Sequence, residues 1–180
     1  MAEVEIHPWT PEWAAEFALR GAALRQALGA TALRIDHIGS TSVSGLAAKP
    51  IVDIQVSVAE FEPIEALVAA MDAAGYLWRD DNPELTKRYF REQVGDPRCH
   101  VHVRRAGAWN EQWALLFRDY LRAHPAAATA YAAEKRRLAA LYPDDRHAYT
   151  DAKGDFLWTA IRAADLWAGE TGWRLGPSDA

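Results

Sequence analysis

The run His37-Ile38-Gly39-Ser40-Thr41-Ser42-Val43-Ser44-Gly45-Leu46-Ala47-Ala48-Lys49-Pro50-Ile51-Val52-Asp53-Ile54-Gln55-Val56 decides how this chain is read. Leu33 to Ile38 reads as a strand. It opens into Gly39 to Gly45, a stretch of small polar residues with neither helical nor strand period. Beyond Lys49-Pro50, residues Ile51 to Val58 alternate, with Ile54, Val56 and Val58 on one side and Asp53, Gln55 and Ser57 on the other. A small-residue loop followed by a strand that carries a carboxylate is a workable phosphate and metal site. Small residues let backbone amides approach phosphate oxygens, and the carboxylate suits Mg²⁺, which prefers oxygen ligands. Lys49 adds positive charge at the far end of the loop. An isolated Gly-Ser pair is more often a plain turn, and no Walker A loop is present, so the neighbours must carry the reading.

The chain has 180 residues, half of them hydrophobic and 25% charged, enough for one globular domain with its own core. A disordered or collagen-like chain is excluded. Lys and Arg number 20 against 25 Asp and Glu, a net charge of -5, which disfavours nonspecific binding to nucleic acid. Cys99 is the only cysteine, so an intramolecular disulfide and a cysteine-built zinc site are both ruled out, in keeping with a reducing compartment. The opening Met-Ala-Glu-Val-Glu-Ile-His-Pro lacks the form of a secretion signal, and no apolar run is long enough to span a membrane. A cytoplasmic protein is the expectation.

Working outward, Thr10 to Leu28 has helical spacing of Trp13, Phe17, Leu24 and Leu28, with Gly29 as its stop. Phe61 to Ala74 predicts a second helix ending at Gly75. Tyr76 to Trp78, Lys87 to Glu92 and Cys99 to Val103 predict further strands, the last with His100 and His102 on one face and Val101 and Val103 on the other. From Trp109 the pattern is helical: Glu111 to Ala123, Ala126 to Leu141, and Arg146 to Gly169 interrupted at most by Gly154. Residues 171–180 are expected to fray, with Trp173 and Leu175 the residues that would dock if any do.

His100 and His102 are candidates for metal or phosphate contact, or they decorate a polar sheet face; a shared sheet with Asp53 and Gln55 raises the functional reading. His37, before the loop, reads first as a hydrogen bond that fixes it. Arg118 is predicted to point away from the core, into solvent or toward an anion, and Lys153 recurs with Tyr149 at a spacing that aims it at the same cleft. Periodicity alone favours ordinary surface charge on an amphipathic helix. Cys99 and His100 point to opposite faces, so a Cys-His nucleophile is not indicated.

The run from His37 to Val56 closely resembles the signature of the GrpB-like family. Arg88-Tyr89-Phe90, Cys99-His100-Val101-His102-Val103, Phe117-Arg118-Asp119-Tyr120-Leu121-Arg122-Ala123-His124-Pro125 and Tyr149-Thr150-Asp151-Ala152-Lys153 extend the resemblance over nearly the whole chain. That family looks like a divergent branch of the nucleotidyltransferase fold and is also found fused to dephospho-CoA kinase. The resemblance implies that Gly39-Ser40 binds nucleotide phosphate and that Asp53 holds a metal. Where the superfamily has a second carboxylate this chain has Gln55, and where a third is often found it has His100 and His102. One metal, or histidine contacts to phosphate, suits such a set better than two-metal catalysis. Ser44 replaces the proline usual in the family's loop.

The combined expectation is one α/β domain over 1–180: a sheet-containing core to about residue 106, C-terminal helices over 107–170, and a tail. Its mixed, nucleotidyltransferase-like sheet would carry helices on one side and a helical C-terminal layer. The expected function is binding of a nucleotide or other phosphorylated small molecule, with nucleotidyl transfer assisted by Mg²⁺ or another divalent metal. Asp53, His100 and His102 are the expected catalytic and metal residues. His37, Gly39, Ser40, Thr41, Ser42, Lys49, Gln55, Arg118 and Lys153 are the expected phosphate and substrate contacts. The alternative is a noncatalytic nucleotide sensor or chaperone-like module that supports a partner enzyme.

Overall fold

The computed structural model describes residues 4–180. Five strands, β1 (Arg34–Ile38), β2 (Val52–Val58), β3 (Tyr76–Trp78), β4 (Lys87–Glu92) and β5 (Cys99–Arg105), form one mixed sheet in the order β1-β2-β5-β4-β3. β2 and β5 run parallel, and the other three pairs are antiparallel. A parallel pair needs a crossover, which here contains a helix and the β3-β4 pair.

Strand alternation divides the sheet into two unlike faces. On the apolar one, α1 (Glu12–Leu28) and α2 (Ile64–Ala73) bring Trp13, Phe17, Leu24 and Met71 against Ile54, Val56, Val101 and Val103. Cys99 is buried here, and burial pushes its thiol up to about 12, so the cysteine is a core residue. The other face is polar and is covered at β1 and β2 by α3 (Trp109–Ala123), beside α4 (Pro125–Leu141), α5 (Arg146–Ala152) and α6 (Gly154–Thr171). Ser57 donates to the buried Glu111 carboxylate at 2.7 Å, so the polar side of β2 meets a polar patch on α3. Helices thus lie on both faces, as the expected sheet plus C-terminal layer requires. Among the described residues no helix is long and apolar enough to cross a membrane.

Two expectations need correction. α2 starts at Ile64 instead of Phe61, because Pro63 biases the residue before it away from helical geometry. The interruption allowed at Gly154 is present, and the last helix divides at Lys153-Gly154 into α5 and α6. Residues 176–180 do not fray. Ser178 Oγ accepts from the Ile35 N–H at 2.8 Å, Asp179 accepts from the His37 N–H at 3.0 Å, and the Ala180 N–H donates to Ile35 O at 3.1 Å. The tail satisfies the outer edge of β1, a need that local composition does not reveal. Trp173 docks as well, donating to Asp119 at 3.2 Å.

Candidate phosphate and metal site

Because β2 and β5 pair in register, with Asp53 opposite His100 and Gln55 opposite His102, alternation places the carboxylate and both imidazoles on the polar face. His100 Nδ1 and His102 Nε2 each lie 3.3 Å from Asp53 Oδ1. One ligand atom from each of the three residues falls within 4.8 Å of the others. Burial alone would raise the Asp53 carboxyl, but the hydrogen bonds from His100 and His102 reverse the sign and hold it well below the usual range. Burial lowers His102, which favours its neutral imidazole.

Gly39 seats the loop against this carboxylate with φ +70°, and a β-carbon built there would stand 2.7 Å from Asp53 Oδ2. Glycine is required twice over, for the backbone angle and for the approach. Above the loop and the triad lies a cavity of about 540 Å³. Eight Lys and Arg residues line it against a single carboxylate residue, Asp53, in a chain whose net charge is negative. Three of the cations are lysines without a carboxylate at ion-pair distance among the described residues. Lys49 and Lys153 place their ammonium groups 5.2 and 5.0 Å from the Tyr149 ring, and Lys135 lies 4.5 Å from the Tyr131 ring. Burial pushes Lys49 down to about 8 and Lys135 down to about 7, with Lys153 adding repulsion to each; Lys153 is itself lowered by burial.

The cavity therefore gathers Gly39, Ser40, Thr41, Lys49, Asp53, His100, His102 and Lys153 from the expected set. Four expected contacts have other tasks. His37 lies on the apolar face, stacked on Phe17 at 4.8 Å and bonded to Thr41 Oγ1 at 3.0 Å, so it holds the loop from beneath. Ser42 Oγ donates to Gly39 O at 2.6 Å and closes the turn. Gln55 is fully buried under α3 and donates to Glu111 O at 3.2 Å. Arg118, expected away from the core, is 4% exposed: it donates to His37 O and to the Asp119 and Asp179 carboxylates, and lies 3.6 Å from buried Asp36. Its charge is neutralised within the protein although its side chain borders the cavity. Lys135 was not anticipated. It sits in an alanine-rich helix that reads as ordinary surface, and the only local cue is its spacing from Tyr131 on one helix face.

A family profile described as GrpB protein matches residues 3–163. The chain belongs to the GrpB family. The crystal structure of conserved protein GrpB from Enterococcus faecalis superposes with a TM-score of 0.82 at 34% identity, covering 91% of this chain and 99% of that one. UPF0157 protein YqkA of Bacillus subtilis is 37% identical over 92% of this chain and 48% of its own length. A dephospho-CoA kinase of Mycolicibacterium paratuberculosis is 35% identical over 96% of this chain and 49% of its own, so a GrpB segment forms about half of that longer protein. The chain spans only part of the length of curated relatives that it matches, 48% of one and 64% of another. A fainter likeness, TM-score 0.45 at 15% identity, is to the structure of Cid1 in complex with its short product ApU.

Proposed function

We propose that this GrpB protein binds a nucleotide or other phosphorylated small molecule in the cationic cavity and transfers a nucleotidyl group from it to an acceptor, in the cytoplasm. The observation that carries the reading is the pair of largely buried lysines, Lys49 and Lys153, without carboxylate partners beside the Gly39–Thr41 loop. Unpaired buried ammonium groups are costly, and a polyphosphate supplies the missing counter-charge. Ser40 and Thr41 then contact phosphate, and the lysines offset the charge that develops as the α-phosphorus gains the acceptor oxygen and loses pyrophosphate.

Asp53, His100 and His102 fit one divalent cation. Two imidazoles and one carboxylate suit Mn²⁺, Fe²⁺ or Zn²⁺ better than the Mg²⁺ that a pair of carboxylates would favour. Such an ion, when bound, adds Lewis-acid stabilisation of phosphate charge.

Titration of the four nucleoside triphosphates into the protein, with and without Mn²⁺ or Mg²⁺, tests the reading. Saturation that depends on the cation and is lost in Asp53→Asn is the expected result; no binding by any of them overturns it. One observation favours a second reading, a noncatalytic sensor that supports a partner enzyme: Gln55 is neutral and engaged by Glu111 O, so the second carboxylate is absent. Release of pyrophosphate in the presence of an acceptor separates the enzyme from the sensor.

A further inference from the structure

Ser40 stands where β1 has ended and the chain has bent at Gly39, as the first residue of a 3-10 turn over Ser40–Ser42, with its side chain on the cavity wall. Lys135 reaches this hydroxyl from α4: Nζ and Ser40 Oγ are 2.8 Å apart. Nζ also donates to the Ala47 carbonyl. The lysine is 3% exposed. The charges nearest to it are those of Lys153, Arg136 and Lys49, all positive, so that burial and repulsion both favour the neutral amine.

A neutral amine that donates one N–H to a fixed carbonyl directs its lone pair elsewhere, and here the other polar neighbour is a serine hydroxyl. A nucleophile, a base within hydrogen-bond reach and a third group orienting the base form the arrangement of serine-lysine nucleophilic sites. The function proposed above gives Ser40 only a hydrogen bond to phosphate. The contact with Lys135 equips it for more.

We propose that Ser40 is a nucleophile which takes the transferred group as a covalent phosphoester, with Lys135 as the base that accepts its proton. This rests on the phosphate-binding reading of the cavity and adds a reaction course to it. Ser40 Oγ attacks the phosphorus, the Oγ–P bond forms, the bond to the leaving pyrophosphate breaks, and the hydroxyl proton passes to Lys135 Nζ. The acceptor hydroxyl then attacks the same phosphorus, losing its proton to solvent as the new P–O bond forms, and displaces Ser40 Oγ, which regains a proton from Lys135. Two displacements take the place of one.

The test treats the full chain with a fluorophosphonate, in which the P–F bond breaks as Oγ–P forms, and locates the adduct by peptide mass mapping. The expected result is a stoichiometric adduct at Ser40, absent in Ser40→Ala, that forms faster as pH rises through about 7. Lys135→Arg puts in its place a guanidinium that cannot accept the proton, and labelling should slow by about 100-fold or more. Equal rates in wild type and Lys135→Arg, or no adduct at all, overturn the proposal. Nucleoside triphosphate titration of the same samples separates the two ideas. Nucleotide binding without an adduct overturns the nucleophile and leaves the phosphate site standing; an adduct without nucleotide binding supports the serine-lysine pair and removes the nucleotide as its substrate.

Discussion

A β-carbon on Gly39 would lie 2.7 Å from Oδ2 of Asp53, closer than side chains approach one another, so the small-residue loop and the Asp53 carboxylate are packed as one unit. Gly39→Ala meets that contact and also a backbone angle, φ +70° with ψ -173°, that residues with a side chain rarely adopt. The variant should lose about 1–3 kcal/mol of stability. It should also bind divalent cation more weakly than wild type, because Asp53 is pushed off His100 and His102. Urea unfolding and cation titration read the two effects separately.

His37 gives the protein an acid-sensitive joint beneath the loop. Burial pushes its imidazole down to about 4. The unfolded chain takes up this proton near the ordinary histidine range while the folded chain refuses it. The stabilisation is complete above about 6.5 and is lost as pH falls through 4, a swing on the order of 3 kcal/mol. Denaturant midpoints measured across that window should fall steeply for wild type and more gently for His37→Phe, which retains the stack on Phe17.

Binding of a polyphosphate should draw protons into the cavity. Free Lys49 is pushed down to about 8, first by burial and then by Lys153, so near pH 8 a substantial fraction is neutral. An anion beside it restores the charged form. Calorimetry at pH 8 in buffers of differing ionisation enthalpy should detect net proton uptake, smaller in Lys49→Met, and affinity should weaken as pH rises toward 10.

Arg118 is a stability residue. Its guanidinium joins α3 to β1 and to the tail through Asp36, Asp119 and Asp179. Arg118→Ala leaves the fully buried Asp36 with Arg34 as its remaining cation and should cost roughly 3–5 kcal/mol. Asp179→Asn, which spares Asp36, should cost less. A chemical denaturation series that ranks these two the other way would show that the tail, and not the buried carboxylate, depends most on the arginine.

What the sequence made legible follows from local periodicity. Alternation over Ile51 to Val58 and Cys99 to Val103 put Asp53, His100 and His102 on one face, and in-register pairing brings them together. The loop glycine was legible as a loop glycine, but its packing on Asp53 depends on how β1 and β2 pair, which no local pattern encodes. Arg118 was misjudged because amphipathic reasoning sends charge outward, whereas here a buried carboxylate on β1 draws it in. Lys135 escaped notice for a related reason: its role is set by a loop some 90 positions earlier in the chain. The tail looked loose by composition, while its partner is an open strand edge.

That docked tail bears on how molecules of this protein meet one another. Residues 178–180 occupy the backbone groups of Ile35 and His37 that would otherwise accept a strand from a neighbour. If the tail detaches while the sheet stays intact, β1 becomes a template, so conditions that loosen only these last residues will promote chain-to-chain association before they unfold the domain.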